Sequence, residues 1–188
     1  MRILIIAALG FAAAACSDDD ADNKAGEADA PATVPAGQWQ TGYQVTAMRS
    51  TDNSIPAVAA KVGDKGTGSA CVAPGEGEKP TPALFAGDGY TCSYKSSYIK
   101  QGTINATLIC TRKGVTGQMG MTVQGSYTAR TLEGTVETNS FLPGSGDFAM
   151  SRKISGRLAG PACQPAAPEA AGAATTSAGS TKGGKAGG

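Results

Sequence analysis

From position 38 the chain alternates hydrophobic and polar residues with the period of a strand. Trp39, Thr41, Tyr43, Val45 and Ala47 share one face, and Gln38, Gln40, Gln44 and Thr46 share the other. That pattern predicts a half-buried strand over 38–50. The alternation returns at Tyr90. Tyr90, Cys92, Tyr94 and Tyr98 form one inward set, followed by Ile104, Ala106, Leu108 and Cys110, and then by Met119, Met121, Val123 and Tyr127. Leu132, Val136 and Leu142 form the next set, and Phe148, Met150, Ile154 and Leu158 the last. Connections fall near Gly102, Gly114, Arg130 and Pro143-Gly144. Successive strands with short connections predict an antiparallel meander of about six strands. With one face apolar and one polar, the sheet must curl round its own core, as a strongly curved sheet or small barrel.

Between the first strand and Tyr90 the pattern weakens. Ser54 to Val62, with an early Pro and Gly63 after it, predicts a short helix following the first strand. The Gly- and Pro-rich stretch 62–89 reads mostly as loop. Within it, Thr81-Pro82-Ala83-Leu84-Phe85 can make one helical turn that sets Leu84 and Phe85 into the core.

The cysteines sharpen this picture. A turn centred on Gln101 sets Cys92 against Cys110, Tyr94 against Leu108 and Tyr98 against Ile104. Opposed residues in an antiparallel pair bring their Cβ atoms within roughly 5 Å, near what a disulfide requires. Cys92 therefore pairs with Cys110 and, by elimination, Cys71 with Cys163. Zinc is the rival use of four cysteines, but the chain has no C-x-x-C pair and no His. No metal and no cofactor are expected.

The fifth cysteine, Cys16, follows Met1-Arg2 and an uncharged apolar run, Ile3 to Ala15. That run is too short to span a bilayer, which takes about 20 residues, and it fits the apolar part of a secretory signal. Ala13-Ala14-Ala15-Cys16 resembles the lipobox of bacterial lipoproteins, whose cysteine is acylated and becomes the first mature residue. An odd cysteine count in an exported chain supports this, because setting Cys16 aside leaves two bridges. The alternative is ordinary secretion with a spare thiol. The expected organisation is signal peptide 1–15, lipidated Cys16 with an acidic disordered tether to 36, disulfide-bonded β domain 37–163, and a disordered Ala/Gly/Ser-rich tail 164–188.

Charge does not point to a polyanion partner. The chain has 16 basic and 15 acidic residues, and the basic ones are scattered; nucleic acid is not an expected partner. The absence of His removes the usual general base, and no catalytic residue is assigned. Glu133 and Glu137 read as solvated strand residues, Gly75-Glu76-Gly77-Glu78 as a polar loop, and Ser145 as part of a turn. The aromatic set is more informative. Trp39, Tyr43, Tyr94, Tyr98 and Tyr127, with soft Met side chains nearby, either fill the core or line a binding cleft with hydroxyls at its mouth.

Gly37-Gln38-Trp39-Gln40, Cys71-Val72, Leu84-Phe85, Cys92-Ser93-Tyr94, Cys110 and the closing Gly156-Arg157-Leu158 to Cys163 resemble domain-of-unknown-function family 3617. Two positions depart from the family pattern: Gln40 stands where Glu is common, and Gly160-Pro161-Ala162 precedes the last cysteine. The resemblance implies a small exported protein of a Gram-negative envelope, disulfide-bonded and often lipid-anchored, and it carries no catalytic residues. The expected location is the periplasmic side of a membrane, with Ser17 permitting outer-membrane sorting; a soluble periplasmic or secreted form is the alternative. The expected function is a non-catalytic, monomeric binding module, held to the membrane through lipid on Cys16, for a small apolar ligand or an envelope partner. The alternative is a protein inhibitor or interaction factor similar to periplasmic lysozyme inhibitors.

Overall fold

The computed structural model describes residues 30–163. Its strands are β1 (Gly37–Ser50), β2 (Lys65–Val72), β3 (Tyr90–Lys100), β4 (Thr103–Arg112), β5 (Val115–Tyr127), β6 (Thr131–Phe141) and β7 (Phe148–Gly160), with one short helix, α1 (Ala83–Ala86), between β2 and β3. They form one antiparallel sheet in the order β2-β1-β7-β6-β5-β4-β3. β3 to β7 are the expected meander, and β7 returns to pair along β1.

Register shifts interrupt the pairing at Val45/Ala47, Tyr94/Ser96 and Cys110/Arg112. Such bulges bend a strand and increase its twist, so the sheet curls into a half-barrel. The two edge strands, β2 and β3, are then bridged by α1, which packs against both. Leu84 and Phe85 are buried there, as the sequence predicts. Inside the curl lie Trp39, Val45, Leu108, Met119, Met121, Val123, Val136 and Phe148, all almost fully buried.

Both disulfides form as expected. Cys92 lies directly opposite Cys110 with Cα atoms 4.0 Å apart, and Cys71 joins Cys163 at 5.4 Å. The second spans 92 positions and ties edge strand β2 to the residues after β7. In the chain-entropy account it contributes about 4.5 kcal/mol, against about 3 for the shorter loop.

Three expectations are corrected. The strands number seven, because β2 hides in the sequence: Gly66 and Gly68 supply no side chains to alternate. Gly66 has its own reason to be glycine. It pairs with Tyr43, whose ring lies where a Cβ would project. Second, 54–62 forms no helix. A segment this short cannot sustain a helix unless tertiary contacts favour it, and here they favour a loop. Ser54 donates from N and Oγ to Asp52 at 3.0 and 2.6 Å, and the Ala57 amide donates to Gly146 O at 2.9 Å.

Third, the register near the β3–β4 turn differs. The turn is two residues, Gln101 and Gly102, both with positive φ (52° and 77°), and Lys100 pairs with Thr103. A left-handed pair of this kind matches the twist of the strands it joins. Tyr98 therefore pairs with Asn105 and Ile99 with Ile104, until the bulge at Tyr94/Ser96 restores Tyr94 opposite Leu108. The packed chain also begins before Gly37: Val34 is buried, and its amide donates to Gly77 O at 3.2 Å.

Candidate functional site

The five aromatic residues expected either to fill the core or to line a cleft lie in different surroundings. Trp39 is fully buried, and its indole N–H donates to Pro35 O at 3.0 Å. Tyr127 is buried, with its hydroxyl donating to Ala32 O at 3.2 Å. Tyr94 is half-buried and donates to Pro80 O at 2.7 Å; burial pushes its phenol well above the usual tyrosine range. A buried aromatic with a polar tip needs such a partner, and these three use it to hold residues 32–35 and the segment before α1 against the sheet. Tyr98 faces outward, 49% exposed, with the Lys100 ammonium 5.4 Å from its ring centre. Tyr43 lines an opening into the curl.

That opening is organised by a residue the apolar pattern passes over. Along β7, Phe148, Met150, Arg152 and Ile154 all point into the curl. Arg152 is only 3% exposed. Its Nη1 donates to Ala86 O at 3.0 Å, its Nη2 approaches Met121 Sδ at 3.9 Å, and its Nε has no hydrogen-bond partner among the described residues. The guanidinium carbon lies 5.3 Å from the Tyr43 ring centre and 5.7 Å from that of Tyr90. Arg112 stacks on Tyr90 at 4.6 Å. Burial lowers the Arg152 pKa, and the charge of Arg112 acts in the same direction; an arginine nevertheless stays protonated.

The electrostatics are unbalanced. No carboxylate among the described residues pairs with Arg152; its charged and aromatic neighbours are Tyr90, Tyr43 and Arg112. Withdrawing a cation from water costs several kcal/mol. Two tyrosine rings offset about 2 kcal/mol each at best, and one carbonyl contributes about as much. The Nε–H has no hydrogen-bond partner at all among the described residues. A second buried polar atom, Thr138 Oγ1, also lacks a partner among the described residues. Thr138 pairs with Met150 and Val136 with Arg152, so Thr138 is the diagonal neighbour of Arg152 on the same face.

Beside Arg152 lies a cavity of about 130 Å³, walled by Tyr43, Val45, Val58, Tyr90, Met150 and the backbone of α1's end. Arg112 also borders it, and the exposed Asp64 and Asp88 stand at its rim. The polarity is graded, positive at the buried floor and negative at the solvent edge.

A larger concavity, about 820 Å³, runs across β2, β1, β7 and β6 and is lined by Gln40, Thr67, Ser69, Glu133, Ser155 and Arg157. It is a trough of solvated polar side chains, and none of these six is buried. Among the described residues no three cysteine, aspartate or glutamate side chains converge to hold a metal ion. Cys16 lies outside the described residues. A sequence signal for Arg152 did exist: it has the parity of Met150 and Ile154, so it is a charge on an otherwise apolar face. Tyr90 was expected on an inward face and Arg112 carried no comparable signal, and it is the curl that brings both to Arg152.

Comparison with the curated proteins and with the solved structures returned no match. The family model described as Protein of unknown function (DUF3617) matches residues 34–163, from buried Val34 to the last disulfide cysteine, and the chain belongs to that family.

Proposed function

We propose that the protein is an envelope lipoprotein, anchored through Cys16, whose β domain is a non-catalytic binding module for a small ligand. The observation that carries this reading is the Arg152 cavity, walled by Tyr43 and Tyr90 and lined by a buried guanidinium whose Nε has no partner among the described residues. Stability alone gives little reason to bury an unpaired guanidinium; a guest that completes its hydrogen bonds does. The export signal and cysteine count support the anchored location.

Native mass spectrometry of the protein gently extracted from its own envelope tests this. The expected species starts at an acylated Cys16 and carries a non-covalent adduct that leaves on activation. A bare chain with a free Cys16 thiol and no adduct contradicts the reading.

A second reading, an inhibitor or interaction factor, has one observation in its favour. Ile55 in the loop after β1 is 89% exposed and Phe141 at the end of β6 is 68% exposed, and Asp52 ties the loop after β1 to the one after β6 by accepting from Gly146 N at 2.8 Å and Asp147 N at 3.0 Å. Unimpaired lysozyme activity at excess domain removes the lysozyme version of that reading.

A further inference from the structure

We infer that the Arg152 pocket takes the carboxylate end of a small zwitterion, of the size of glycine or alanine, with the ligand's ammonium facing Asp64 and Asp88. The inference rests on the binding-module reading and adds the chemical class of the ligand.

Three observations carry it. The floor is cationic and lacks a counter-charge: Arg152 has an unpartnered Nε, and Arg112 reaches the same cavity across the Tyr90 ring. No carboxylate among the described residues pairs with Arg152, and a planar guanidinium fork matches a carboxylate in shape and hydrogen-bond geometry.

The rim sets the second half of the recognition. Asp64 and Asp88 are exposed at the mouth, and neither pairs with the arginines below them. Two carboxylates there oppose entry of a dianion such as phosphate and favour a ligand that presents a cation outward. Size sets the third limit. About 130 Å³ is well below the roughly 300 Å³ at which pockets accept drug-sized molecules. A handful of heavy atoms fits, and the aromatic walls suit a short aliphatic body better than a second charge.

The test is an NMR titration of the full-length, disulfide-bonded protein with four probes: alanine, acetate, inorganic phosphate and glycinamide. Alanine is expected to shift the amides of β7 and the Ala86–Tyr90 segment saturably. Its affinity is expected to fall at least tenfold in Arg112→Gln, whose half-exposed side chain leaves the fold intact, and in Arg152→Met. Phosphate and glycinamide are expected to leave those amides unmoved, and acetate to bind more weakly than alanine. Phosphate or acetate binding as tightly as alanine overturns the zwitterion claim. Glycinamide binding as tightly overturns the carboxylate claim. No saturable shift with any probe overturns the whole inference. The binding-module reading fails separately, if the envelope-extracted protein carries no adduct.

Discussion

Arg152 Nη1 donates to the carbonyl of Ala86, the last residue of α1, at 3.0 Å. This bond joins the middle of β7 to the helical turn that bridges the sheet's two edges. The guanidinium thus ties α1 to the sheet with one nitrogen while its Nε stays free of any partner among the described residues.

Gly66 sits under the ring of Tyr43, where a Cβ would collide with the ring's outer atoms. Gly66→Ala is expected to keep the fold, because the clash is with a movable side chain and Gly66 itself lies on an edge strand. The displaced ring loses its place against Arg152, which is worth about 1 kcal/mol, or about fivefold in ligand affinity. Parallel melting and binding measurements check this; unchanged affinity would mean that Tyr43 plays no part in the site.

Asp52 accepts hydrogen bonds from Ser54 Oγ and N, Ser50 Oγ, Gly146 N and Asp147 N, and the Ser54 hydroxyl does most to hold its carboxyl well below the usual carboxylate range. Because the folded pKa lies below the unfolded one, near 3.9, the stabilisation is present above about pH 4 and is lost as pH falls toward the folded value. Asp52→Asn should therefore melt lower than wild type at pH 7, with the gap narrowing toward pH 3. Melting curves of both proteins across that range decide it; a constant gap would contradict the linkage.

Removing the long-range bridge with Cys71→Ser and Cys163→Ser is expected to cost about 2–5 kcal/mol. The effect should concentrate in β2, an edge strand paired only with β1 and tied at one end by that disulfide. Hydrogen exchange should show Lys65–Val72 opening first. Uniform acceleration over the whole sheet would show that the bridge stabilises the domain globally.

The meander and both disulfides were legible in the sequence, because the alternation from Tyr90 to Leu158 is long and Cys92 and Cys110 lie on matching parities. Where reading failed, a local rule lost to a tertiary one. The bulge at Tyr94/Ser96 reverses parity within one strand, so Tyr98 faces solvent and Ile99 the core. β2 could not be seen, since Gly66 makes room for the ring of Tyr43 and neither it nor Gly68 carries a side chain to alternate. Tyr94, Tyr127 and Trp39 find carbonyls at Pro80, Ala32 and Pro35, partners that no periodicity reveals. The site was partly visible: Arg152 is a lone charge on an apolar face, but Arg112, Tyr90 and α1 join it only when the sheet curls.

The most direct measurement compares wild type and Arg152→Met, each extracted from the native envelope, by native mass spectrometry and thermal melting. Burying an unpaired cation contributes little to stability, so the variant is expected to melt within about 5 °C of wild type, as the bond lost to Ala86 O is offset by relief of the buried charge. The non-covalent adduct carried by wild type should be missing from it. An Arg152→Met protein that keeps the adduct at the wild-type level while melting far lower would show that Arg152 is a structural strut, contradicting its assignment as the floor of a binding site.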